Sequence, residues 1–282
     1  MDDIIAGRIW AVPWPWAMMN GLCPVLVQEK VVVLCGSPGA SKSLMMIQCL
    51  NFWAKEGVKA SLLELEDSKA EHLQRLLAQV SECSDITDTA WVKANPEKVQ
   101  EITRRHSDWI DEIGKMIFVN DSADVTYWDL LHWMQERAKA GDRVIVVDPI
   151  TSASSEGEIY RADKTFINHT LKLAADYKCT IILVTHPRSG TIIPALDNVA
   201  GGKSITRHTR GVIWLEYTEE ATTQLKGYCG THDVQINRRM WLLKVSGGKG
   251  TGAVLGFRFC PESLQLAEQG LIIKKKKGKR DE

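Results

Sequence analysis

The run Gly36-Ser-Pro-Gly-Ala-Ser-Lys-Ser43 constrains this chain more than any other stretch. Before it lies Lys30-Val-Val-Val-Leu-Cys35, a short β-branched run suited to a strand buried on both faces. After it, Ser43 to Lys55 carries apolar residues at helical spacing. Strand, small-residue loop and helix, in that order, are the context a phosphate-binding loop requires. Small residues let backbone N–H groups turn inward on an anion, and the helix N-terminus adds partial positive charge. The usual pattern has Gly directly before the Lys, whereas this chain has Ser41. An ordinary strand–turn–helix with a chance Lys-Ser is the alternative.

The rest of the chain repeats the alternation. Strand-like runs are expected at Ala60–Leu65, Lys115–Val119, Val144–Asp148 and Cys179–Thr185. Helix-like runs fall at 68–80, 127–140 and 164–177, and residues 81–115 read as polar and irregularly helical. This order predicts an α/β fold with a doubly wound, mostly parallel sheet flanked by helices. In the last third, 211–217, 240–245 and 253–259 read as strands joined by turns, which predicts an antiparallel C-terminal extension. The expected organisation is a lead segment 1–26, one core domain 27–268 and a basic tail 269–282 built on Lys274-Lys-Lys-Lys-Gly-Lys-Arg280.

In a parallel sheet, ligands gather at the carboxyl ends of the strands. The loop Gly36, Ser37, Pro38, Gly39, Ala40, Ser41, Lys42, Ser43 would cradle the phosphates of ATP, with Lys42 on the β- and γ-phosphates and the Ser43 hydroxyl on Mg²⁺. Asp148 ends its strand as a Walker B aspartate would, holding the metal through water. Glu66 ends another and suits the general base, with Glu64 and Asp67 as rivals. His186 ends a fourth and suits a γ-phosphate sensor. Four strands thus deliver candidate groups to one edge.

Composition narrows the rest. The 282 residues carry zero formal net charge, so global charge does not announce a nucleic-acid binder, although a local patch remains open. The 7 Cys are odd in number and scattered without a CxxC pair, the usage of a reduced, cytoplasmic protein. Cys229 and His232 form a lone C-x-x-H lacking further ligands. Met1-Asp-Asp3 has the wrong charge for a signal peptide, and no apolar run is long enough to span a membrane. The 10 Trp sit mostly at apolar positions such as Trp214 and Trp241, which favours core packing over base stacking.

With these residues placed, the chain resembles the RecA-like ATPase core of hexameric replicative DNA helicases, the DnaB and Twinkle type. Leu65-Glu-Asp-Ser-Lys followed by Arg75-Leu-Leu is similar to that family's second strand and helix, whose catalytic glutamate falls on Glu66. Val119-Asn-Asp-Ser, then a helix, then Val-Ile-Val-Val-Asp148 resembles the approach to Walker B, and Leu183-Val-Thr-His-Pro-Arg188 the sensor strand. Asn198 to Arg210 resembles the DNA-binding loop, and Trp241 to Gly252 the terminal hairpin that reaches a neighbouring subunit. The resemblance covers roughly residues 20 to 268.

It implies a RecA-like P-loop NTPase that hydrolyses ATP with Mg²⁺ between subunits of a homo-oligomer, such as a hexameric ring on single-stranded DNA. Arg188, Gly202, Lys203, Arg207 and Arg210 become the DNA contacts, against the alternative of a solvated basic loop. The family's hairpin usually carries Lys-x-Arg with the Arg acting in trans. Here Lys244 is present, Ser246 stands where the Arg would be, and a gapped alignment offers Lys249. Lys lacks the bidentate fork of Arg. The family's additional N-terminal domain and primase region have no counterpart in the sequence. Two other readings stay open: a recombinase or helicase loader, and a non-hydrolysing, nucleotide-gated structural oligomer.

Overall fold

The computed structural model describes residues 6–7, 9–120, 122, 124–153, 159–188 and 193–273. In chain order, α1 (Ala17–Leu22) precedes β1 (Lys30–Cys35), α2 (Lys42–Lys55), β2 (Ala60–Glu64) and α3 (Lys69–Ser81). There follow α4 (Thr89–Ala94), α5 (Pro96–Gly114), β3 (Ile117–Val119), α6 (Tyr127–Lys139), β4 (Val144–Asp148), α7 (Ile159–Tyr177), β5 (Thr180–Thr185) and α8 (Gly202–His208). Four strands end the chain: β6 (Gly211–Gly227), β7 (Gly230–Val245), β8 (Val254–Cys260) and β9 (Gln265–Ile272). They form one sheet in the order β3-β2-β4-β5-β1-β6-β7-β8-β9. Pairing is parallel from β3 through β6 and antiparallel beyond it. The expected parallel sheet with an antiparallel extension is therefore the observed one.

Period-two alternation explains the layers. Val32 and Leu34 of β1, Val144 and Val146 of β4, and Ile182 and Val184 of β5 face one core, with Met45, Met46, Leu50 and Trp53 of α2, Leu76 of α3 and Ile113 of α5. Val31 and Val33, Ile145 and Val147, and Ile181 and Leu183 face the other, under Leu130 and Met134 of α6, Phe166 and Ile167 of α7 and Ile205 of α8. The strands are apolar on both faces because helices cover both. Truncating a side chain such as Leu50 to Ala would cost about 2–5 kcal/mol.

Four boundaries differ from the sequence reading. Residues expected as a lead segment pack into the first core: Trp14 and Trp16 are buried, and their indole N–H groups donate to the carbonyls of Cys23 (2.9 Å) and Leu266 (2.8 Å). Residues 81–115 hold a regular 19-residue helix, α5, started by Pro96 at its first position. Val99, Ile102, Trp109, Ile110 and Ile113 recur along it at helical spacing, a signal the sequence carried. The sheet also continues past residue 268, because β9 pairs with β8 and β6 through Ile272. Glu268 broke its apolar pattern, but that carboxylate accepts the N–H groups of Met18 (2.8 Å) and Met19 (2.7 Å). Finally, the segment expected as a DNA-binding loop, Asn198 to Arg210, contains α8. The basic run Lys274–Arg280 lies outside the described residues. Among the described residues, no helix is long and apolar enough to cross a membrane.

Candidate phosphate-binding site

The loop between β1 and α2 is shaped by three backbone demands. A Cβ on Gly36 would lie 2.5 Å from the Leu215 carbonyl oxygen of β6, so only Gly fits beside that strand. Gly39 has φ +76, and Ser41, the residue before α2, has φ 75 and ψ 30. The conformation at Ser41 explains the usual Gly before the Lys: the backbone there is left-handed. Lys42 is buried, with Nζ 3.2 Å from the Ser37 carbonyl oxygen and 3.3 Å from His186 Nδ1. Burial pushes its ammonium below the usual range, while Asp148, Cys35 and Glu66 pull it back.

Register brings the acids together. Glu64 and Asp148 are paired neighbours at the ends of β2 and β4. Asp148 is buried, hydrogen-bonded by the Ser43 side chain, and its Oδ2 has no hydrogen-bond partner. Burial and then the charge of Glu64 push it up to about 7, against the opposing pull of Ser43 and Lys42. A hydroxyl and a buried carboxylate oxygen with spare acceptor capacity beside a phosphate loop form the donor set a hard divalent cation takes. These residues fit Mg²⁺.

The three rival carboxylates separate by environment. Glu64 is buried, its Oε2 3.2 Å from His72 Nε2 of α3, and burial followed by the charge of Asp67 pushes it up to about 9. Burial holds His72 down at about 4. Asp67 is bound to Arg75 Nη1 at 2.5 Å. Glu66 is half-exposed, accepts the Ser152 hydroxyl at 3.0 Å, and lies 3.6 Å from His186 Nε2. Burial and then Lys42 lower the His186 pKa, which favours the neutral ring. Glu66 stays at the edge because α3 starts late: Ser68 and Glu71 form a capping box that fixes the first turn beyond it.

The result is a cleft of about 360 Å³ lined by the phosphate loop with Glu66, Asp67, Arg75 and His186. Lys42, Ser43, Glu66 and His186 line it, and Asp148 joins it through its hydrogen bond with Ser43. Sequence reasoning missed Arg75, His72 and Ser152. His72 and Arg75, three apart, share a face of α3 with the buried Leu76, a periodicity the sequence offered. Ser152 and Arg238, which also touches the loop, carry no local signal.

The remaining candidates lie elsewhere. Arg188 follows β5 and is exposed, its N–H donating to the Asn198 carbonyl at 2.8 Å. Gly202 opens α8; Lys203 is exposed and 3.5 Å from Asp197, and Arg207 is exposed on the same helix. Arg210 does not join them. It lies against Gly247, with a buried Nε that has no hydrogen-bond partner. Lys244 is not a free cation: its ammonium donates to the carbonyls of Thr206 (3.0 Å) and Arg207 (2.6 Å) at the C-terminal end of α8. Lys249 is exposed in the turn after β7. Val245 pairs with Gly211, and Gly211 with Val32, three residues short of Cys35. The turn therefore leaves the sheet about 10 Å towards the edge opposite the phosphate loop.

Residues 12–191 match a family model described as "AAA domain". Among solved structures, the chain is similar to one ATPase domain with TM-score 0.67 and 13% identity over 86% of each chain. It is also similar to a DnaB-like replicative helicase whose structure was solved with its interactions with primase, with TM-score 0.71 and 13% identity. That match covers 94% of this chain and 64% of the helicase, so the chain spans just under two thirds of its length. A KaiC-like protein, PH0186 from the hyperthermophilic archaeon Pyrococcus horikoshii OT3, matches with TM-score 0.56 and 16% identity over 93% of this chain and 99% of that one. No curated protein matches the chain. At these identities the neighbours establish a shared RecA-like fold.

Proposed function

The chain belongs to the AAA domain family, and from that premise we propose that it binds and hydrolyses Mg-ATP as a motor on single-stranded DNA. The observation that carries this reading is the convergence of four strand ends on one cleft: Lys42 and Ser43 follow β1, Glu66 follows β2, Asp148 ends β4 behind Ser43, and His186 follows β5. Lys42 leaves His186 to neutralise the β- and γ-phosphates. Ser43 and Asp148 hold Mg²⁺, which when bound supplies positive charge against the phosphate oxygens. Glu66 takes the proton of the attacking water and is oriented by the Ser152 hydroxyl. His186, neutral and released by Lys42, faces the terminal phosphate.

The motor half of the proposal rests on the segment between β5 and β6. Arg188, Lys203 and Arg207 supply exposed cations there, and Gly202 brings backbone close to a phosphodiester. Subunits of a homo-oligomer would place Lys249 of one copy near the cleft of the next. A second reading, a non-hydrolysing, nucleotide-gated structural oligomer, is favoured by one observation: Lys244 is engaged within its own chain, leaving Lys249 as the exposed hairpin lysine. Steady-state ATP hydrolysis with and without single-stranded DNA, beside strand displacement from a forked duplex, separates the two. The motor reading expects DNA-stimulated turnover and displacement. Absence of both turnover and displacement overturns it in favour of the second.

A further inference from the structure

Ser41 occupies a backbone conformation that suits Gly, with φ 75 and ψ 30. A residue with a Cβ stays there only if its surroundings hold it. Ser41 precedes α2, where a serine hydroxyl ordinarily caps the helix, yet it makes no capping hydrogen bond. Its Oγ instead accepts two N–H groups of one guanidinium: Arg238 Nη2 at 3.0 Å and Arg238 Nε at 3.3 Å.

Arg238 arrives by sheet register. Cys35, the last residue of β1, pairs with Trp214, and Trp214 with Trp241. Arg238 lies three residues further along β7, about 10 Å beyond that level, where β6 and β7 pass over the phosphate loop. It is 6% exposed. Its guanidinium lies 4.8 Å from the Tyr217 ring centroid and 5.1 Å from that of Phe259, and Nη1 donates to the Asn237 carbonyl at 2.9 Å. Asn237 is itself pinned, exchanging hydrogen bonds with the Phe259 backbone at 2.7 and 3.2 Å. The cation is therefore held before any ligand arrives. Among the described residues it has no carboxylate within ion-pair distance. A buried, unpaired charge is costly and persists where it is used.

We propose that Arg238 is a positioning residue: by gripping the Ser41 hydroxyl it holds the phosphate loop in the shape that a glycine adopts unaided. This deepens the reading of residues 36–43 as a phosphate loop and rests on it. The pair compensates for the departure at Ser41 and fixes the β6–β7 hairpin to the nucleotide cleft. Arg238 acts through Ser41, so its effect on binding depends on which residue stands at 41. A cation that touched the phosphates directly would matter equally with any residue there.

The test is a double-mutant cycle read as the dissociation constant of a fluorescent ATP analogue with Mg²⁺, on the full chain. Losing a charge-assisted hydrogen bond corresponds to about tenfold in affinity. Arg238→Met and Ser41→Ala are each expected to weaken binding about tenfold, and their combination to be no worse than about twofold beyond either alone. In the Ser41→Gly background, adding Arg238→Met is expected to shift affinity less than about twofold. An equal loss from Arg238→Met in all three backgrounds overturns the proposal. Should Arg238→Met fail to fold by circular dichroism, Ser41→Ala decides alone, and unchanged affinity there overturns the proposal. Absence of Mg-ATP binding by the unaltered chain overturns both the phosphate loop and the clamp. Tight binding without coupling overturns the clamp only.

Discussion

Glu64 offers the sharpest test of how the sheet edge tolerates its acids. The carboxyl is 2% exposed and pushed up to about 9, chiefly by burial. The unfolded chain releases that proton near pH 4. Between these values folding retains a proton that unfolding releases, so rising pH favours the unfolded state. The stabilisation is complete below the unfolded pKa and is lost as pH rises through the folded one. The slope is at most about 1.4 kcal/mol per pH unit. Asp148, pushed up to about 7, exerts its effect below that pH, and His72, held at about 4, acts between 4 and its ordinary range. The window from pH 7.5 to 9 therefore isolates Glu64 among these three. Buried thiols such as Cys23, raised to about 12 by burial, add a slope at its upper end that any Glu64 variant shares. Glu64→Gln keeps the neutral shape and removes the proton. Its stability at pH 7 is expected within about 1 kcal/mol of the parent. Urea unfolding from pH 7.5 to 9 should show the parent losing up to about 2 kcal/mol more than the variant. Parallel pH profiles would refute the assignment of a buried, protonated Glu64.

Two further outcomes follow from contacts at the loop and the far edge. Gly36→Ala drives a Cβ to 2.5 Å from the Leu215 carbonyl, a backbone atom that cannot rotate away; calorimetry should show about 1–3 kcal/mol lost, and nucleotide titration should show binding abolished. Lys244→Ala leaves the Thr206 and Arg207 carbonyls without their ammonium and should cost about 1–2 kcal/mol by urea unfolding, whereas Lys249→Ala, at an exposed turn, should stay within about 0.5 kcal/mol.

The sheet was legible because β1, β2, β4 and β5 are short β-branched or apolar runs bounded by turn residues, and their ends named most of the cleft. What the chain alone did not yield was partnership across the sheet. Glu64, Glu66 and Asp67 look alike along the chain; His72 and Arg75, approaching from α3, give one a buried neighbour and another an ion pair. The long hairpin was seen only at its base, because beyond Tyr217 and before Met240 the ribbon is largely solvated and offers few apolar residues beside Leu225 and Ile236. Arg238 lies within that stretch, so its approach to Ser41 was invisible without register. Lys244 was expected to face a neighbouring copy, yet the segment read as a loop folds into α8, whose terminal carbonyls take it.

The central claim is that this cleft performs chemistry on bound Mg-ATP with Glu66 as base. The direct measurement pairs nucleotide binding with steady-state hydrolysis for the parent, Lys42→Ala and Glu66→Gln. Lys42→Ala should lose binding, because the phosphates lose their main cation. Glu66→Gln should bind Mg-ATP nearly as the parent does and lose at least about a hundredfold in turnover. Full turnover by Glu66→Gln, or the hydrolytic defect appearing in Asp67→Asn instead, would contradict the account.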